Sequence, residues 1–141
     1  MKLLNFLICE DIRNEVGNKN TLVGVMDDKL IFNVTPDNKN IWPKRMKLGF
    51  FMQIDLEDNI PKLFTFKRID DEEEQIIGNN NIKVSEKKMQ NKITIAIVHS
   101  NFTLKKVGKI SFKIEFSDEK GNILETIAPE YSLEILENII E

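Results

Sequence analysis

Chemistry-bearing residues are few in this chain of 141 residues. It holds one cysteine and one histidine. That excludes a disulfide framework and any dense Cys/His metal site. Six glycines leave little material for a phosphate-cradling loop, and no GxSxG, HExxH or CxxC motif occurs. No apolar run approaches the roughly 20 residues of a membrane span. Cationic excess is missing as well: 20 Lys and Arg stand against 23 Asp and Glu, a net charge of −3. Electrostatic attachment to nucleic acid is therefore not expected. The segment Met1–Cys9 has the outline of a lipoprotein signal, but its apolar run is short, Asn5 interrupts it and Ile8 precedes the cysteine. Signal processing wants a longer run and small residues there. The expected compartment is the cytoplasm, with Cys9 reduced and buried.

What remains is 41% hydrophobic and 30% charged, the composition of one folded domain spanning residues 1–141. Abundant Ile, Asn and Lys suggest an AT-rich genome, bacterial or phage. The dominant periodicity is two. Lys109–Phe116 alternates without a fault, and Leu48, Phe50, Met52, Ile54 and Leu56 form a second apolar row. Leu30, Phe32 and Val34 make a third; Ile93, Ile95 and Ile97 make a fourth. Alternation of this kind marks half-buried strands of antiparallel sheets. Shorter strands are expected at Leu3–Cys9, Thr21–Met26, Leu63–Ile69, Ile76–Val84, Asn122–Ile127 and Ser132–Ile135.

Turn residues separate these runs. Met26–Lys29 reads as a tight hairpin loop, Asp55–Lys62 as a hairpin connection, and Ser117–Asn122 as a longer loop ending at Gly121. The acidic run Asp70–Glu74 reads as a solvated loop, and Glu10–Val16 as a short helix stopped by Gly17. About nine or ten strands with at most one short helix predict an all-β fold, an immunoglobulin-like or C2-like antiparallel β-sandwich.

Two blocks carry a resemblance. The first is Cys9-Glu10-Asp11-Ile12-Arg13-Asn14-Glu15, then Gly17-Asn18-Lys19 and Leu22-Val23-Gly24-Val25; the second is Gly108–Ile114 with the Gly121 turn and a closing strand. Together they resemble a family of small bacterial and phage proteins known only as a domain of unknown function. The resemblance implies a β-sandwich and brings no reaction, ligand or catalytic residue.

The candidate binding residues follow from charge density and exposure of aromatics. Glu10, Asp11, Arg13, Glu15 and Lys19 crowd the stretch after the first strand. They form either a recognition patch or a solvated turn in which Arg13 bridges Glu10 or Asp11; a buried, bidentate Arg13 would be a structural pin. Trp42, before Pro43, is either a plug under its loop or a binding anchor. Asp27-Asp28, Asp55 with Asp58, and Asp70-Asp71 with Glu72 raise the alternative of a calcium- or lipid-responsive C2-like binding module, without a Gly-punctuated loop. His99 could serve a small hydrolase only with carboxylates or Cys9 as partners. Lys105, Lys106, Lys109 and Lys113 make a basic strand face without interleaved aromatics. The expectation is a non-catalytic module that binds another protein, or a second copy of itself, in the service of a phage or mobile element. No catalytic residue, cofactor, metal, nucleic acid or membrane is assigned.

Overall fold

Alternating side chains commit most of the chain to strands, and a computed structural model shows how they pair over residues 1–82 and 91–141. In chain order the strands begin with β1 (Lys2–Cys9), β2 (Asp11–Glu15), β3 (Lys19–Val23), β4 (Lys29–Val34) and β5 (Lys44–Asp55). They continue with β6 (Leu63–Asp70), β7 (Glu73–Asn81), β8 (Lys92–Leu104), β9 (Gly108–Ser117), β10 (Ile123–Ile127) and β11 (Ser132–Ile139). One turn of 3-10 helix, Pro36–Asn38, lies between β4 and β5. The small sheet has the order β1-β5-β8, and the large one β4-β11-β9-β6-β7. β11 pairs with Gly108–Ser111 of β9, and β10 takes the other half of the same edge, Ile114–Ser117. The hairpin β2–β3 stands apart from both sheets as a pair of its own.

The core is the slab between the sheets. Leu48, Phe50, Met52 and Ile54 of β5 face Phe64 and Phe66 of β6 and Ile110, Phe112, Ile114 and Phe116 of β9, all buried. The rings of Phe50, Phe66 and Phe112 meet at centroid distances of 5.1, 5.4 and 5.6 Å. Aromatic contacts of this geometry add to an area term of about 1.5–3 kcal/mol per buried side chain. The fold class expected from the alternation is thus the one observed, an all-β sandwich. One pairing within it is parallel, β4 with β11.

Several local expectations give way to longer-range pairing. Glu10–Val16 is strand, because Asp11–Glu15 is held in register with Lys19–Val23. Ile12 and Val16 have helical spacing, yet only Ile12 is buried; Val16 belongs to the turn. Met26–Lys29 closes no hairpin. Met26 N–H donates to Ile8 O on the small sheet (2.8 Å), while Asp28 O accepts from Glu134 N–H on the large one (2.8 Å). These residues carry the chain from one sheet to the other. The Tyr131 hydroxyl also donates to Asp27 O there, and burial beside Asp28 and Asp27 pushes its pKa up to about 12. Asp55–Lys62 likewise crosses between sheets, from β5 to β6. The acidic run is mostly strand: only Asp71 and Glu72 form the turn, at φ of 46° and 71°, the left-handed pair of a two-residue hairpin. The strand expected over Ile76–Val84 is β7, and Val84 lies outside the described residues.

Alternation along β6 points Phe64, Phe66 and then Arg68 into the core, and Arg68 is only 2% exposed. Its guanidinium donates to both carboxylate oxygens of Asp70 (2.7 and 2.9 Å) and to Thr103 O of β8 (2.6 Å). It also lies 4.3 Å from the Phe102 ring centroid. One side chain therefore ties the large sheet to the small. Removing a single partner from such a pair strands a buried charge. Asp70→Ala is expected to lower the unfolding free energy by about 3 kcal/mol, and Arg68→Met/Asp70→Ala to cost less than that single change. Urea titration of the two variants checks this; wild-type stability for Asp70→Ala would contradict it.

Candidate functional site

Five of the six candidate binding residues lie on the β2–β3 hairpin or its root. The root is set by a glycine. Along β5, Leu48 and Phe50 point into the core, so position 49 faces the outer side of the small sheet, where Gly49 presents bare backbone. Cys9, opposite Gly49 in the β1–β5 register, faces the same side. The hairpin folds back over this spot. A Cβ at position 49 would lie 2.9 Å from Ile12 Cγ1 and 3.0 Å from Cys9 Sγ, closer than such atoms pack. Ile12 therefore occupies the volume that any other residue at 49 would claim. The cover leaves Cys9 fully buried, its single thiol proton shared between Asp11 O (Sγ···O 3.3 Å) and Gly49 O (3.6 Å), and burial pushes its pKa up.

Charges fasten the same root. Lys47, one turn of the pleat before Gly49, meets Asp11 at 2.9 Å and holds its carboxyl below the ordinary aspartate range. Glu10 N–H donates to Val23 O (2.9 Å) and Gly24 O (3.2 Å), and the Glu10 side chain lies over Gly24, where a Cβ would stand 2.7 Å from Glu10 Cδ. Gly24 also has φ of 63°, a conformation that suits glycine.

Beyond Ile12 the hairpin enters solvent. Arg13, Asn14, Glu15, Lys19, Asn20 and Thr21 are exposed, and Val16 at the tip is 96% exposed. The turn Val16-Gly17-Asn18 is a three-residue loop, with φ of 84° and 58° at its last two residues, the left-handed values that Gly and Asn accept. Thr21 donates to Glu15 across the pair (3.2 Å). The Arg13 bridge expected from the sequence is absent among the described residues: Asp11 pairs with Lys47 instead, and the buried bidentate arginine is Arg68.

Trp42 belongs to a different part of the surface. Half-buried, it meets Phe32 edge-on at 6.2 Å. Lys44 Nζ stands 5.0 Å from the Trp42 ring and 5.3 Å from that of Phe32, within reach of Glu137 at 3.9 Å. The chain's own lysine thus fills the cationic position beside this aromatic pair. No hydrogen bond or ion pair among the described residues joins Trp42 to the hairpin.

The other candidates are scattered. His99 points inward, its ring 5.9 Å from Phe102 and its buried Nδ1 without a partner among the described residues. Cys9 is on the opposite face of the same sheet. Asp70 holds Arg68, Asp71 pairs with Lys106, and Asp55 accepts from Glu57 N–H (2.9 Å). No three His, Cys, Asp or Glu side chains among the described residues converge as a metal site would require. Of the basic face, Lys113 pairs with Glu74, which also meets Lys67 at 3.5 Å. Gly49 and Lys47, which seat the hairpin, were not among the sequence candidates. A lone glycine inside an apolar strand is the signal that could have found the first, since it marks close approach of another segment.

Gly49→Val is expected to force the hairpin off the sheet at a cost of about 1–3 kcal/mol, as overpacking does. Cys9 reports on it: thiol labelling under native conditions should be far faster in the variant than in the wild type. Equal labelling rates would mean that the hairpin does not depend on this contact.

No helix among the described residues is long and apolar enough to cross a membrane. No curated protein matches the chain. A family model matches residues 4–125, taking in the whole hairpin block and running into β10. By that match over most of its length, the chain belongs to the family of unknown function DUF6941.

Proposed function

We propose that this protein works by binding another protein, with the β2–β3 hairpin as its recognition element. The observation that carries the reading is the contrast within the hairpin: its root is packed and ion-paired, while its distal residues are exposed and, among the described residues, make no side-chain hydrogen bond or ion pair outside the hairpin. A hairpin with a fixed base loses little further freedom on binding, which lowers the entropic cost of association. Arg13, Glu15 and Lys19 supply charges of both signs around the apolar tip residue Val16, the makings of a small contact with a polar rim. The reading as an accessory factor of a phage or mobile element is supported by the Ile-, Asn- and Lys-rich composition alone.

The test compares capture by the tagged wild type with capture by Arg13→Ala/Val16→Ser/Lys19→Ala, which leaves Ile12, Gly49 and Lys47 untouched. One stoichiometric protein is expected from native lysate with the wild type, and at least about tenfold less of it with the variant, in line with losing more than 1.4 kcal/mol. Equal capture by a correctly folded variant, or no stoichiometric protein with the wild type, would refute the assignment.

A further inference from the structure

The ends of the two sheets are treated unequally. A sheet edge exposes unpaired N–H and C=O groups, and proteins blunt such edges with charges, bulges, short strands or covering loops. β7, β4 and β1 show these devices, and β10, which pairs only with β9, is itself a short strand of five residues. β7 carries Glu73 and Glu74 directly after the Asp71-Glu72 turn. β4 spans only Lys29–Val34 and opens on a lysine. β1 has an irregular register between Leu3 and Asn5, and Met26 N–H already occupies Ile8 O near its end. β8 is different. From Ile93 to Leu104 it has no Lys, Arg, Asp or Glu and no proline. Its register with β5 is regular from Lys92 to His99 before the shift that follows. Among the described residues no strand pairs with its far edge.

We propose that β8 pairs antiparallel with β8 of a second copy of this chain, giving a two-fold dimer with one continuous sheet, β1-β5-β8-β8-β5-β1. This reading stands apart from the hairpin assignment, since it uses another strand. The occupant is a second copy because the segment is complementary to itself. A two-fold pairing is isologous, so each residue must suit its symmetry mate. With Ala96 on the axis, Thr94 lies opposite Val98 of the partner subunit, and Ile95 opposite the partner's Ile97. Lys92 lies opposite the partner's Ser100, so the register sets no charge against a like charge. Ala96, Thr94 and Val98 are exposed, and Ala96 and Thr94 are small enough for close approach. The outer row Leu7–Phe51–Ala96 already crosses the small sheet. Pairing would extend it through Ala96 into the partner's Ala96, making one apolar row across both copies.

The test is the solution mass of the full chain by light scattering or sedimentation at tens to hundreds of micromolar. Twice the mass of one chain is expected for the wild type. Ala96→Lys should be monomeric, with the wild-type thermal transition at dilutions where both are monomers, because the outward side chain disturbs no core contact while two like charges would meet on the axis. Ala96→Glu should be monomeric too, and an equimolar mixture of the two variants should regain the dimer mass. A monomeric wild type would overturn the proposal. So would dimers of either single variant, or a mixture that stays monomeric.

Discussion

Where Ile12 meets the bare backbone of Gly49, a strand continuing from β1 becomes a hairpin lying over its own sheet. The contact is steric in origin: a side chain at 49 would need the volume that Ile12 fills. Three consequences follow from it. Cys9 loses all access to solvent, Asp11 comes within 2.9 Å of Lys47, and the strands beyond the root run into solvent, with Val16 96% exposed. The polar and apolar parts of the interaction point the same way, so the root is defined even though each ion pair at such an exposure is worth little alone. The functional reading inherits this constraint, because a recognition element must be held before it can be presented.

The sandwich beneath is closed by a different kind of contact. Two layers of aromatic and aliphatic side chains would hold the sheets together through area alone, with little to fix their relative position. Arg68 adds direction. Its bonds to Asp70 and Thr103 O and its place over Phe102 can all be made in only one alignment of β6 against β8. A buried pair of this sort adds little net stability over apolar packing, and its use lies in selecting one arrangement among similar ones.

Much of the architecture was legible in the sequence, and the reason is the strict period of two. Lys109–Phe116 and the Leu48–Leu56 row each specify a strand and its buried face at once, and both are observed as read. What the pattern could not carry was pairing over distance. Met26–Lys29 has every local mark of a hairpin loop, yet its backbone bonds go to β1 and β11, more than 15 residues away in the first case and about 100 in the second. Glu10–Val16 read as a short helix stopped by Gly17; the partner strand and the glycine of β5 decide the matter. The charged block was found from its density, whereas Lys47 and Gly49 lie some 35 residues further on and show their role only once the sheet is built.

The central claim is that the hairpin rests on the outer face of the small sheet through Ile12. Nuclear Overhauser spectroscopy on the wild-type protein reads this contact directly. Strong cross-peaks between the Ile12 side-chain protons and the Gly49 α-protons are predicted, together with slow exchange of the Glu10 amide. A folded sandwich that lacks those cross-peaks would contradict the account.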